Sequence, residues 1–239
     1  MLAVVAVACG PSWEERRAAG DRVVAQGRAP VERQLSRFEA LLPALRAAPA
    51  ATAVRLPSGV RLAFEGGNAL FLELEQLEHL RETEYHTRLG RMTHEVPFAL
   101  RVLEFGVGGL DGTPPDTIED VRRAVTDALD RVVRIRYLLI VRVWDLVAPG
   151  VTAIHPPRPG EAPVEIGAPL AEFSGGHLVG DALLVDVESG DIVGTVPFDV
   201  RSSFQVEMHG PTPLLDDLTR HMVNDLNEAL APIRTGSVY

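Results

Sequence analysis

The most chemically suggestive stretch of the sequence is a glycine-rich run behind an acidic residue, at Val102–Gly109. A strand that ends in an acid and leads into a glycine turn lets the phosphate or ribose of a cofactor approach the backbone closely. The candidate cofactor-binding residues are therefore Glu104, Gly106, Gly108 and Gly109. A strand followed by a flexible loop is the alternative interpretation.

This run resembles the first motif of S-adenosylmethionine-dependent methyltransferases and, in part, a dinucleotide-binding loop. Either resemblance implies a helix directly after the glycines and an acid at the end of the next strand, about 20 residues on. Residues 111–115 intervene before the next predicted helix, and the nearest strand-end acid, Asp145, lies further along the chain.

A second candidate is a cluster of histidines and glutamates. If residues 77–88 are helical, His79, Glu82 and His86 share one face, because side chains three and seven positions apart lie on the same side of a helix. Imidazole and carboxylate groups in this arrangement are suited to zinc or another divalent metal. The alternative is a solvated face with internal ion pairs to interleaved arginines. The remaining members of the cluster are Glu84, His94 and Glu95, and the arginines are Arg81, Arg88 and Arg91.

Nucleophilic catalysis has less support. The sequence contains no Gly-x-Ser-x-Gly elbow. Ser174, His177 and Asp181 are close in sequence, but catalytic triads are assembled in space, so this proximity is a poor indicator. Gly175 and Gly176 favour a loop that opens the following strand.

The first ten residues, MLAVVAVACG, bear on where in the cell the protein is located. A short apolar run that ends in small residues before Cys9 resembles the end of a bacterial lipoprotein signal. This resemblance implies that the Cys9 thiol is lipidated and becomes the mature N-terminus. Residues 1–9 would be the signal and residues 10–29 a polar tether. A first β-strand with a buried cysteine is the alternative, because valine-rich runs are also typical of strands.

The first half of the chain predicts a helix and a β-meander. A helical spacing of apolar residues predicts a helix over 30–48, with Pro30 in its first turn and Pro43 kinking or ending it. Alternating apolar residues predict strands within 52–76. The alternating positions are Val60, Leu62 and Phe64, then Leu70, Leu72 and Leu74.

The second half predicts strand, helix, strand, long loop, hairpin and helix. The strands are expected at 98–105, 136–147, 178–188 and 192–204, with a turn at 188–191 and Pro197 marking an edge strand. The helices are expected at about 117–134, capped by Asp116 with Glu119, and from Pro213 onward, capped by Thr212. The proline-rich loop 148–172 is long enough to be either functional or loosely ordered.

Together these elements predict an α+β fold: one mixed, mainly antiparallel sheet with helices packed on one face. Residues 30–95 would form an N-terminal helix plus β-meander, and residues 96–239 an α/β core that carries the loop 148–172.

The amino-acid composition limits the classes of partner and of cross-link that the protein can have. The formal net charge is −10, so the surface repels phosphate backbones, and we expect no nucleic-acid partner. The only cysteine is Cys9, which excludes an internal disulfide and a paired-cysteine zinc knuckle. We expect no cofactor, and contact with a membrane only through a lipid on Cys9.

Residues 100–230 resemble the α/β domain of envelope lipoproteins of the curli-secretion and penicillin-binding-protein-activator group. The resemblance rests on an opening strand, a strand after a helix, a hairpin and a closing helix. These four parts are 100–105, 137–141, 183–193 and 214–230. The resemblance implies a non-enzymatic assembly or regulatory role at the envelope and transfers no binding residue.

These observations favour a non-enzymatic cell-envelope lipoprotein, lipid-anchored on the periplasmic side, that binds an envelope protein or a cell-wall component. The loop 148–172 is the expected contact surface, since loops on a rigid scaffold often carry recognition. One alternative is an enzyme that uses the glycine loop 106–112 or the His/Glu metal site. Another is a cytoplasmic structural protein.

Overall fold

A computed structural model describes residues 10–64, 66–82, 89, 95–113, 115–154, 171–202 and 213–238. For residue 95, for 151–154 and 171–174, and for 213 and 214, it describes the backbone alone. The helices are α1 (Trp13–Ala40), α2 (Leu42–Ala47), α3 (Leu74–Glu78), α4 (Glu95–Phe105), α5 (Ile118–Val133) and α6 (Pro213–Leu230). The strands are β1 (Leu62–Ala63), β2 (Ala69–Glu73), β3 (Tyr137–Val147), β4 (Gly150–Ile154), β5 (Ala171–Ser174), β6 (His177–Asp186), β7 (Ile192–Arg201) and β8 (Arg234–Thr235).

The central sheet has four strands in the order β2-β3-β6-β7. β2 runs parallel to β3, whereas β3–β6 and β6–β7 are antiparallel. The predicted α+β class, with one mixed and mainly antiparallel sheet, is confirmed. Short ladders join β1 to β8 in parallel and β4 to β5 in antiparallel fashion.

Helices cover both faces of this sheet. On one face, Leu138 and Ile140 of β3 contribute to a core with the helices before β3. On the other face, Leu139 and Val141 contribute to a second core with α6. Alternate residues of a strand point to opposite faces, so each β3 residue in this stretch serves one of the two cores. The prediction that the helices pack on one face holds for those before β3, whereas α6 packs on the opposite face.

The tether predicted at 10–29 is instead the first half of α1. Ser12 caps the helix: its hydroxyl accepts the N–H of Glu15, and the Glu15 carboxylate accepts the N–H of Ser12. The buried side of this half is made of small residues, among them Ala19 and Gly20. A Cβ on Gly20 would overlap Val107, so glycine here lets α1 pack closely on its neighbours. Pro30, expected in the first turn, lies inside the helix.

The predicted meander over 52–76 is wrong in its pairing. β1 and β2 do not pair with each other: β1 pairs with β8, and β2 pairs with β3. Alternation reports that a segment is extended but not which strand it pairs with. Leu74, expected in a strand, begins α3. The segments 30–95 and 96–239 consequently share one sheet through β2 and β3.

The strand predicted at 98–105 is the helix α4. Its buried residues Val96, Ala99, Val102 and Leu103 follow helical spacing. A short apolar run does not distinguish a buried strand from a buried helix by periodicity alone, so the pattern favoured the wrong element.

The other predicted elements of the second half are confirmed, with small shifts at their ends. α5 buries the expected apolar stripe, but its cap is Thr117, whose hydroxyl accepts the N–H of Asp120, rather than Asp116. β6 and β7 form the expected hairpin, and Pro197 lies on the edge strand β7. α6 begins at Pro213; its expected cap, Thr212, lies outside the described residues. Residues 155–170 of the proline-rich loop, between β4 and β5, also lie outside the described residues.

Candidate functional site

A buried ion pair lies near the middle of the sheet. Arg142 of β3 faces Asp181 of β6, and their side chains are 2% and 0% exposed. Nε of Arg142 donates to Oδ1 of Asp181 at 2.8 Å, and Nη2 donates to Oδ2 at 2.6 Å. Two parallel bonds between a guanidinium and a carboxylate fix the orientation of both groups.

The same guanidinium also binds the chain that leaves α2. Nη1 donates to the carbonyls of Leu45 and Ala48 at 2.9 and 2.7 Å, and Nη2 donates to that of Pro49 at 2.9 Å. All five N–H groups of Arg142 are thereby satisfied. Oδ2 of Asp181 accepts the N–H of Ala51 at 2.7 Å. The pair holds the segment after α2 against the sheet, so the arrangement is structural.

The two edges of the sheet differ in how they are covered. At the β7 edge, Arg55 and Thr195 exchange backbone hydrogen bonds of 2.8 Å each. At the other edge, β2 pairs with β3 only from Tyr137 to Val141 and then turns into α3. β3 continues to Val147, so within the described part of the chain this last stretch pairs with β6 alone.

The uncovered stretch of β3 contains a bulge. Val143 pairs with Gly180 and Asp145 pairs with Val179, which leaves Trp144 as the extra residue. Bulges are common at sheet edges, where they re-aim a side chain. The Trp144 side chain lies against Arg142, whose guanidinium carbon is 4.6 Å from the ring centroid.

A cleft of about 250 Å³ lies between this edge and α3. Its walls are the end of β2, the α3 residues nearest to it and the middle of β3. The lining residues are Glu73, Leu74, Glu75, Glu78, Val141, Arg142, Val143 and Trp144. Glu78 also binds Arg46, at 2.8 Å. The cleft therefore combines carboxylates with an aromatic ring beside an open strand edge.

Two large apolar side chains of this edge are exposed: Trp144 at 51% and Val147 at 50%. Next to them, His177 lies between two carboxylates. Its Nε2 is 2.7 Å from Asp199 and its Nδ1 is 4.0 Å from Asp145. This end of the sheet thus presents apolar, aromatic and acidic groups together, a combination suited to binding.

The glycine run does not have the geometry that its cofactor interpretation requires. Glu104 is an exposed residue of α4, so the strand-end acid is absent from this position, and the glycines form a 3-10 turn, Gly106–Gly109. Gly106 has φ +58°, where glycine is favoured. A Cβ on Gly109 would overlap the Arg101 carbonyl, whereas one on Gly108 would meet only the Phe105 Cβ, at an ordinary contact distance of 3.9 Å. Backbone conformation explains Gly106 and packing explains Gly109.

The His/Glu cluster is described only in part. His79 Nδ1 lies 2.8 Å from Glu82 Oε1, while His86 lies outside the described residues. Glu84 and His94 lie outside them too, as does the side chain of Glu95. Among the residues that the structure does describe, no group of three His, Cys, Asp or Glu side chains is placed to hold a metal ion.

The interleaved Arg81 makes ion pairs, but with another helix and not within the segment, where the alternative interpretation places them. Its guanidinium binds Glu32 at 2.6 Å and also Glu39, both on α1. These hydrogen bonds, with Glu39 contributing most, raise the pKa of Arg81 above its ordinary value. Arg81 therefore ties the turn that follows α3 to α1.

The remaining predicted residues do not form a catalytic set. Asp181 is bound to Arg142, and His177 contacts Asp199 and Asp145 rather than Asp181. The side chain of Ser174 and all of Cys9 lie outside the described residues. The structure thus separates two members of the Ser/His/Asp group.

Sequence reasoning missed Arg142 and Trp144. A signal for Arg142 was present: it interrupts the apolar run Tyr137–Val143, just as Asp181 interrupts Leu178–Val185. A charged residue in a strand buried on both faces needs a partner, and two such strands in one chain predict that the charges meet. Trp144 had no such signal, because its exposure depends on where β2 ends.

No helix in the described ranges is both long and apolar enough to cross a membrane. Comparison of the chain with models of known protein families, with curated proteins and with solved structures finds no match in any of the three. The function proposed for this chain therefore rests on its own residues.

Proposed function

We propose that this chain is a non-enzymatic cell-envelope lipoprotein, a binding or assembly module that is held at the membrane by a lipid on Cys9. The observation that carries the binding role is the end of β3, which among the described residues pairs with β6 alone and where Trp144 and Val147 are half exposed beside a cleft. Exposed aromatic residues are enriched at protein–protein contacts.

The position of the folded domain is compatible with an anchor at Cys9. The capping box at Ser12 begins α1 only a few residues after Cys9. Three residues stand between Cys9 and Trp13, so their Cα atoms lie within about 14 Å of each other even when the chain is fully extended. A lipid on Cys9 would therefore hold α1 close to the membrane surface, without a long tether.

The anchor is tested by labelling with a radioactive or clickable fatty acid. The chain is expressed from its own gene with the native upstream region, as wild type and as Cys9→Ala. We expect label and detergent-phase partitioning for the wild type alone. If neither protein is labelled and both fractionate with the cytosol, the envelope assignment is wrong.

A further inference from the structure

We propose that the open edge of β3, residues 143–147, binds an extended segment of a partner protein as an added strand, with a Lys or Arg side chain of that segment in the cleft beside Trp144. This inference rests on the binding role proposed above and names the class of partner. It does not depend on the lipid anchor.

The edge of β3 beyond Val141 has the geometry to accept another strand. β2 stops pairing at Val141 because the chain turns into α3 at Leu74, and β3 then extends to Val147. An added strand would occupy the position that β2 leaves. Unpaired backbone N–H and C=O groups on a strand edge are a template for such pairing.

The cleft is large enough to hold one long side chain. Its volume is about 250 Å³, and it opens beside the strand edge. An extended segment can place one side chain there while its backbone follows the edge, because alternate side chains of a strand point the same way.

The charges around the cleft favour a basic side chain as its occupant. Asp145 follows Trp144 on the edge and is 63% exposed, and Glu78, which also pairs with Arg46 at 2.8 Å, lines the same cleft as Trp144. The guanidinium in the lining, Arg142, is already paired with Asp181. A cation from a partner would therefore meet carboxylates and the exposed part of an aromatic ring, which attracts cations. The net charge of −10 also favours a basic partner.

The same features disfavour a second copy of this chain as the occupant. A symmetric pairing of two β3 edges would bring Asp145 of each copy to the shared edge, and like charges there oppose pairing. The bulge at Trp144 also interrupts a regular self-complementary ladder. A basic segment from a different protein brings no like charge against Asp145, and it carries no second bulge that would have to match the one at Trp144.

The test uses two fluorescein-labelled libraries of random heptapeptides, one with Lys fixed at the central position and one with Glu. Binding to the full-length chain is followed by fluorescence polarisation at low salt. We expect saturable binding of the Lys library, at least about tenfold tighter than that of the Glu library. Equal binding of the two libraries, or no binding of either, would overturn the proposal.

Two variants locate the site. Trp144→Ala and Asp145→Lys change exposed side chains, so both should fold, which circular dichroism checks. Each should weaken binding of the Lys library by about tenfold or more. Asp127→Lys, an equal charge reversal at an exposed position of α5, is the matched control and should bind as the wild type does. An equal loss of affinity in all three variants would show that the Lys library is attracted non-specifically to the acidic surface, and it would contradict the proposed site.

Strand addition has its own readout. Hydrogen exchange of the backbone amides of 143–147 should slow when the Lys library is saturating, because the added strand protects them. Binding without such protection would overturn strand addition. Repeating the titration with Cys9→Ala separates this inference from the anchor: a labelling failure with intact peptide binding refutes the lipoprotein assignment alone.

Discussion

Arg142 and Asp181 face each other on β3 and β6 at the point where helix cover on one face of the sheet gives way to the open edge. Their bidentate contact is joined by three carbonyls, one in α2 and two in the segment after it. Leu138 and Ile140, before Arg142 on β3, pack in a helix-covered core, whereas Trp144 and Val147 beyond it are exposed. The pair thus marks the boundary between the packed scaffold and the candidate binding surface.

Removing one partner of this pair should strongly destabilise the fold. Arg142→Met leaves the buried Asp181 carboxylate uncompensated, and we expect the free energy of unfolding to fall by about 3–5 kcal/mol. Urea unfolding followed by circular dichroism measures this loss.

The double variant Arg142→Met/Asp181→Leu provides the control for a direct interaction. Because it buries no unpaired charge, it should lose less stability than the sum of the two single variants, with a coupling energy above about 1 kcal/mol. Simple additivity of the two losses would show that the residues act independently.

The sequence predicts well the elements whose pattern is strong and local. The stripe at Val121, Val125 and Val132 predicts α5, and the turn around Gly190 predicts the β6–β7 hairpin. In both cases one periodicity dominates, and the turn residue has the positive φ that favours glycine.

The sequence predicts poorly what depends on distant partners. The first half of α1 packs through Ala19 and Gly20, which contribute little to an apolar pattern. The pairing of β2 with β3 joins residues more than sixty positions apart, so no local signal encodes it. The candidate site is equally hard to predict from the sequence, because the exposure of Trp144 depends on where β2 ends.

The glycines of the 106–109 turn should differ in their tolerance to substitution. Gly109→Ala would place a Cβ against the Arg101 carbonyl, and we expect a loss of about 1–3 kcal/mol. Gly108→Ala meets no close atom and should change stability by less than about 0.5 kcal/mol. Thermal unfolding of both variants makes the comparison; equal tolerance would contradict the packing role of Gly109.

Asp186 should contribute a pH-dependent part of the stability. Burial raises the pKa of Asp186, but the N–H of Glu188, the guanidinium of Arg136 and the N–H of Ser189 together lower it below its ordinary value. A carboxyl group with a lowered folded-state pKa stabilises the fold above its unfolded pKa of about 3.9, and loses this contribution as the pH falls through the folded pKa.

The wild type should accordingly exceed Asp186→Asn in stability by more at pH 7 than at pH 3. Urea unfolding at both values measures the difference. Asp191→Asn serves as the control. Asp191 lies in the same turn, and the described structure shows no hydrogen bond to its side-chain carboxylate. A gap between wild type and Asp186→Asn that stays constant with pH would contradict this account of Asp186.

The start of α1 offers a test of whether residues 13–29 are part of the folded domain. Val24 is 7% exposed and belongs to the helix-covered core. Val24→Asp would bury an unpaired carboxylate, so we expect a loss on the order of 3 kcal/mol. Arg22→Asp introduces the same side chain two positions away at an exposed site and should cost far less. A flexible tether would tolerate both substitutions alike, whereas a packed helix separates them, because only position 24 faces the core.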